Sequence, residues 1–230
     1  MSESSVLETS RRAALIDAEK KAFEMLSAIE AAGLVVPGRT EKEVEDDIGT
    51  LALQRFGVEQ NWHRRIVRTG INTLTMALDY PDVRTIEPED TVYLDLGPVF
   101  EAWEADVGRT YALGQNPEKK RLVADLDRVF ERVQAHYYAS PDVTGAELYA
   151  FALKAANEAG WAFGGVIAGH VVGEFSHSTW PGEKDLKRIG PHNSLPMRRI
   201  DHMDRPLHWI LEIHLTDRAR TFGGFYERLL

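Results

Sequence analysis

The chain has 230 residues, 43% of them hydrophobic, enough for one substantial core or two small ones. Its formal charge of −9 lacks the basic surplus that nucleic-acid binding demands. It contains no cysteine, which excludes disulfides, thiolate nucleophiles and thiolate zinc sites, and leaves histidine and carboxylates as metal donors.

The N-terminal stretch MSESSVLETSRRAALIDAEKK has no apolar segment behind a basic start, so it does not read as a secretory signal. No stretch approaches the roughly 20 apolar residues of a membrane span. A soluble cytoplasmic protein is the expectation, with neither nucleic acid nor membrane as a partner.

Residues 5–33 carry Ala14, Leu15, Ala18, Ala22, Leu26 and Ile29 at helical spacing, ending near Gly33. A second helix follows in RTEKEVEDDIGTLALQRFG, with Thr40 as N-cap, Glu43 three residues on, and Val44, Ile48, Leu51 and Leu53 as its apolar positions before Gly57. Residues 61–114 change character: IVRTG, INTLTMALDYP and the TVYLDLG run read as strands and turns. Residues 117–139 return to helical period through Leu122, Leu126, Val129, Phe130 and Val133. A turn and another helix follow in SPDVTGAELYAFALKAANEAGW. From residue 165 onward short strands and loops return, in GVIAGHVVGEFSH, a polar loop, HWILEIHL and TFGGFYERLL. Helix, helix, strands thus occurs twice, and both second helices open on a turn, a Thr and an acid. This predicts an α+β domain over residues 1–230 with pseudo-repeat halves of roughly 10–115 and 116–230 sharing one core.

Asp95 and Asp106 sit in apolar, strand-like runs, where an unpartnered carboxylate is costly. If the two oppose each other across an antiparallel hairpin, its tip falls at Phe100–Glu101 and the acids share a face. Glu212 and Glu227 repeat the arrangement around a tip at Ala219–Arg220, although Gly223–Gly224 offers a bulge that would shift this register. Four converging acids need compensating positive charge, and no Lys or Arg stands beside them in the strands. A two-metal site supplies it, with His170 in GHVVG as a fifth donor. The alternative for each acid is an exposed strand or turn position, the ordinary fate of Asp and Glu.

These residues resemble the metallopeptidases of pita-bread fold, comprising methionine aminopeptidases, aminopeptidase P, prolidase and the metal-free creatinase. The family pattern is Asp, a second Asp eleven residues later in Asp-x-x-Arg-Thr, Gly-His-x-x-Gly, then two strand glutamates. Asp95, DVGRT from Asp106, His170, Glu212 and Glu227 follow it in order, and the resemblance spans roughly residues 10–230. It implies two pseudo-symmetric α+β halves around a curved antiparallel sheet. It also implies two divalent ions (Mn, Co, Zn or Fe), with Asp106 and Glu227 bridging, Asp95 chelating one ion, and His170 and Glu212 binding the other. A metal-bridged water would be the nucleophile. His177 matches the family's second histidine, which touches the substrate carbonyl, and Arg109 falls to a supporting role.

The chain departs from the family at Ala77, where a further His normally follows the Gly-x-Asn stretch, here Gly70–Asn72. Ser178 replaces the Glu of His-Glu-x-Pro, and Ile213–His214 replaces a Pro-Gly. His63 and Arg64 in NWHRRIVRTG, and His214 on the face of Glu212, are candidates to compensate. His63, His177 and Glu212 are therefore the candidate catalytic side chains. Trp62, Trp103, Trp180 and Trp209 are available to line a pocket or to pack a core. The leading expectation is a hydrolase that cleaves an amide bond in a peptide or small amino-acid derivative, resembling an Xaa-Pro dipeptidase or aminopeptidase. A creatinase-like C–N hydrolase or lyase on a non-peptide molecule, and a catalytically silent binding module, are the alternatives. A homodimer would be the common assembly for such an enzyme.

Overall fold

The computed structural model describes residues 3–230, with side chains from residue 6 onward. In chain order the elements are α1 (Glu3–Ala31), α2 (Glu41–Phe56), β1 (Ile66–Thr69), β2 (Thr91–Leu96), β3 (Val99–Phe100), β4 (Trp103–Glu104) and β5 (Val107–Ala112). They continue with α3 (Pro117–Ala139), α4 (Gly145–Glu158), β6 (Ala162–Phe163), β7 (Gly169–Val172), β8 (His208–Thr216) and β9 (Gly223–Leu229). Among the described residues no helix is long and apolar enough to cross a membrane.

The predicted caps form. Thr40 and Glu43 make a reciprocal capping box at the start of α2, Thr144 and Glu147 make one at α4, and Gly57 closes α2 with φ 66°. Val44, Ile48 and Leu51 of α2 are buried as their spacing predicts, but Leu53 is exposed and Ala52 takes the inward place. The INTLTMALDYP stretch, expected as strand and turn, opens instead as a short 3-10 helix over Gly70–Leu74. Buried Glu41 fixes that turn, accepting from the Thr69 amide at 2.7 Å and the Asn72 side-chain amide at 3.0 Å.

Strands β1, β2, β5, β9 and β8 lie side by side in that order, all antiparallel, and β6 and β7 share the outer edge of β8. One face of this mixed α+β fold is apolar. Val92, Leu94, Leu96 and Val107 pack with α1 and α2, while Trp209, Leu211, Ile213 and Leu215 pack with α3 and α4. Burying each such Leu or Ile contributes about 1.5–3 kcal/mol. Because side chains alternate across a strand, Asp95, Glu212 and Glu227 fall on the opposite face.

The first hairpin differs from its expected register. Asp95 pairs with Gly108, not Asp106, and Val99 pairs with Glu104, so the tip is Glu101–Ala102. Glu101 takes a left-handed φ of 57°, which admits the tight turn one residue later than symmetry about the aspartates requires. The same register, carried through Gly97–Pro98, places Gly97 across from Asp106. Each aspartate therefore faces a glycine. The second hairpin keeps its expected register from Thr216↔Gly223 to Ile210↔Leu229, with Glu212 directly opposite Glu227 and no bulge at Gly223–Gly224.

Candidate metal centre

A single row of paired residues runs across the sheet: Asp95↔Gly108, Gly108↔Glu227 and Glu227↔Glu212. Gly108 lets the Phe225 ring pack against its middle, since a Cβ there would meet that ring at 2.6 Å and Glu227 Cβ at 3.0 Å. Asp106, two residues before Gly108 on the same face, enters from the start of β5. His170 enters from β7, paired with Ile210 on β8. Gly169 before it has φ 134° and lies against the Ile210 carbonyl, a place closed to any side chain. Asp95, Asp106, His170, Glu212 and Glu227 thus converge on one face of the sheet.

His170 Nδ1 meets the Val171 carbonyl at 2.8 Å, and its Nε2 lies 3.0 Å from Asp106 Oδ2, 3.6 Å from Glu212 Oε1 and 3.8 Å from Glu227 Oε1. His63 arrives from the other side, its Nε2 3.2 Å from Asp106 Oδ1 and 3.3 Å from Asp95 Oδ1. The segment before it runs along the first hairpin. Val99 N donates to the Gln60 carbonyl at 3.0 Å and Trp62 N to the Gly97 carbonyl at 2.9 Å. Arg64, the other candidate from this segment, turns outward. It donates to the Ala77 and Asp79 carbonyls at 2.7 and 2.6 Å, and holds exposed Ala77 by its backbone.

The electrostatics are those of carboxylates crowded away from water. Burial pushes Asp95 up to about 6 and Glu212 up to about 7, and raises Glu227 well above the ordinary range, with the neighbouring acids adding to each. Asp106 resists the same burial and is held at about 2, because His63 and His170 flank its two oxygens. Burial alone would lower both histidines, yet the adjoining carboxylates outweigh it and raise each to about 9. Glu227 Oε2 is buried with no hydrogen-bond partner, an orphaned acceptor aimed among other acids. Among the described residues two groups of donors lie within 4.8 Å: His63, Asp95 and Asp106, and Asp106, His170 and Glu227. An oxygen-rich set with imidazoles, crowded carboxylates and an unsatisfied acceptor fits hard or borderline divalent cations.

His177 sits beside this centre, its ring stacked on that of His170 at 5.3 Å between centroids. Fully buried Glu104, in β4, grips it twice. One oxygen accepts the His177 amide at 2.9 Å and the other contacts Nδ1 at 2.6 Å. Nothing in the sequence signals this pairing. Trp62 packs edge-on against His63, His170 and His177, at 4.4, 4.9 and 4.7 Å, while Trp180 lies 6.2 Å from His177. Trp209 is core, with its Nε1 donating to the Met197 carbonyl.

His214, the other candidate to compensate for Ala77, has its ring engaged by the main chain. It is buried, its Nε2 meets the Thr73 carbonyl at 2.8 Å, and burial holds its pKa down. Arg109 points to the helix-covered side and pairs with Glu30 at 2.8 Å, a strut between α1 and β5.

Residues 11–197 match the model of metallopeptidase family M24. An Xaa-Pro dipeptidase of Lactobacillus delbrueckii subsp. lactis is 33% identical over 124 residues, covering 54% of this chain and 33% of that protein. The match therefore spans about a third of the length of that curated relative. In three dimensions the chain is similar to an X-Pro aminopeptidase from Thermotoga maritima, with a TM-score of 0.71 at 22% identity over 97% of this chain and 60% of that one. It is also similar to a methionine aminopeptidase from Rickettsia prowazekii, with a TM-score of 0.68 at 14% identity over 96% of this chain and 92% of that one. At these identities the solved structures establish the pita-bread fold. With the family match covering most of its length, the chain belongs to metallopeptidase family M24.

Proposed function

We propose that the chain is a two-metal hydrolase that cleaves an amide bond in a peptide, on substrates of the Xaa-Pro dipeptide or aminopeptidase kind. The observation that carries this reading is the row Asp95, Gly108, Glu227, Glu212, with Asp106 two residues before Gly108 and His170 on the strand beside Glu212. Three buried acids and a partly buried fourth on one face are an arrangement that folding alone does not reward. Asp95, Asp106, His170, Glu212 and Glu227 would hold the ions. Two divalent cations there supply the Lewis acidity that activates a water and offsets charge developing on the amide carbonyl.

The chain's own residues do the rest. Glu212 has the most exposed carboxylate of the four, at 16% against 1% for Asp106, so it is the acid best placed to take a proton from the attacking water and return it to the leaving amine. With Nδ1 engaged by Glu104, His177 keeps Nε2 to donate to the carbonyl oxygen as it gains charge. Trp62 covers the three imidazoles and limits water around them.

Exposed Ala77, with its carbonyl taken by Arg64, leaves the peptide side of this centre without the family's third histidine. That observation favours, as a second reading, C–N cleavage on a small non-peptide molecule. Metal analysis of the purified chain after reconstitution, followed by a panel of Xaa-Pro and Met-Xaa peptides, tests both. About two ions per chain and Xaa-Pro turnover support the leading proposal. Bound metal with uniform inactivity on peptides favours the second, and failure to bind any divalent ion overturns both.

A further inference from the structure

His63 and His170 meet the carboxylates in the same way. Nδ1 of each faces the main-chain carbonyl of the next residue, at 2.6 Å from Arg64 and 2.8 Å from Val171. A histidine whose Nδ1–H is held by a carbonyl presents the lone pair of Nε2, as metal-bound histidines do. Each Nε2 then addresses a different oxygen of one carboxylate, His63 at Asp106 Oδ1 and His170 at Asp106 Oδ2. Without an ion a proton on Nε2 fills the gap to these oxygens, and a divalent cation displacing it finds nitrogen and oxygen donors already converged. His63 offers this convergence twice, since Asp95 Oδ1 is also 3.3 Å from its Nε2.

The surroundings are shaped for this placement. Gly97 has no Cβ where the His63 and Trp62 rings lie against it, so a side chain there would expel both. Trp62 packs on the edges of both imidazoles. The two groups of converging donors share Asp106 and contain one imidazole each.

We propose that His63 is a sixth protein ligand of the metal centre, binding through Nε2 the ion held by Asp95 and Asp106, so that each ion takes one imidazole. The proposal rests on the two-metal reading above and adds to it a nitrogen donor on the aspartate side. That donor moves the subsite's preference from ions satisfied by oxygen alone toward Co, Fe or Zn.

The test is titration of the full chain with Co(II), followed by visible absorption and calorimetry, together with proton NMR of the doubly loaded protein. An imidazole bound through Nε2 contributes one strongly shifted, solvent-exchangeable Nδ1–H resonance. Two such resonances are expected in the unaltered chain and one in His63→Ala. His63→Ala should weaken one of the two ions by at least about tenfold, since loss of even an outer partner of a ligand costs that much, and leave the other within about twofold. A single shifted resonance at two ions per chain overturns the proposal while leaving the two-metal reading intact, and so do unchanged affinities in His63→Ala. Absence of any cobalt binding overturns both. If His63→Ala does not fold, the resonance count of the unaltered chain decides.

Discussion

The two acid-bearing hairpins use one sheet face in different ways. In the β8–β9 hairpin Glu212 and Glu227 stand directly opposite each other, and both titrate upward because burial and the surrounding acids act together. In the β2–β5 hairpin each aspartate faces a glycine, and the vacated space admits a histidine ring. There the acids separate, Asp106 to about 2 and Asp95 to about 6. The difference teaches that shared face and shared burial do not determine a carboxylate's charge. What decides it is how many imidazoles address it: Asp106 has one on each oxygen, whereas Asp95 has only the His63 it shares with Asp106.

The hairpins also end differently. The glutamate hairpin closes in a turn where Asp217 accepts from the Thr221 and Phe222 amides. The aspartate hairpin extends its tip along residues 173–175, with Glu104 N donating to the Gly173 carbonyl at 3.1 Å and Phe175 N to the Ala102 carbonyl at 2.9 Å. That docking carries Glu104 to His177.

The largest effect is expected at the one carboxylate that belongs to both donor groups. Asp106→Asn should abolish tight binding of both ions and lower turnover by about 1,000-fold, matching the several kcal/mol that metal catalysis supplies. Metal stoichiometry and kcat/KM measure it, and retention of both ions would show that Asp106 is not the shared ligand. A smaller loss is expected at the tip of the same hairpin. Glu104→Gln leaves every metal donor in place but removes the charge that orients His177, so kcat should fall by about 10–100-fold with unchanged metal content. Loss of metal in this variant would place Glu104 in the centre itself and erase the distinction between hairpin body and tip.

How far these features were readable in the sequence follows from the range of the interactions that produce them. The Glu212–Glu227 pairing is local, set by alternating strands and a turn between them, and it emerged intact. Asp95 and Asp106 were readable as a pair on one face, but their register was not. It depends on the left-handed turn at Glu101 and on Gly97–Pro98, whose consequences alternation does not encode. His63 was readable as a residue near the pocket. Its approach to Asp106 depends on residues 60–62 pairing with 97–99, a contact between segments almost forty residues apart. Glu104 and Glu41 carried no signal, because their partners lie 73 and about 30 residues away and a single acid in a strand or helix is ordinary. The capping boxes at Thr40 and Thr144 were fully readable, since every participant lies within four residues.

The smallest effect is the one that turns the comparison into a matter of sign. Without metal, the folded centre holds Asp95, Glu212 and Glu227 above their unfolded pKa values and His63 and His170 above theirs. Every one of these shifts means that the folded state binds more protons than the unfolded chain, so stability falls as pH rises. The carboxylate penalty enters as pH climbs from about 4, where these groups ionise when unfolded, through about 6 for Asp95 and about 7 for Glu212. The histidine contribution is complete below about 6.5 and disappears through about 9. Asp106 has the opposite sign, but its window closes below about pH 4. Metal-free protein should therefore melt at a lower temperature at pH 9 than at pH 6, and the rise in melting temperature on adding Mn(II) should be larger at pH 9, where protons no longer compete for the ligands. Glu227→Gln removes one of two facing acids and should raise the metal-free midpoint at pH 9 by about 2–4 °C for each kcal/mol of repulsion relieved. Asp106→Asn removes the one acid of the four whose ionised form the site favours, and should instead lower that midpoint. Thermal scans in chelator, with both variants at both pH values, measure this. Shifts of the same sign in the two variants would mean that the hairpins do not differ as their registers imply.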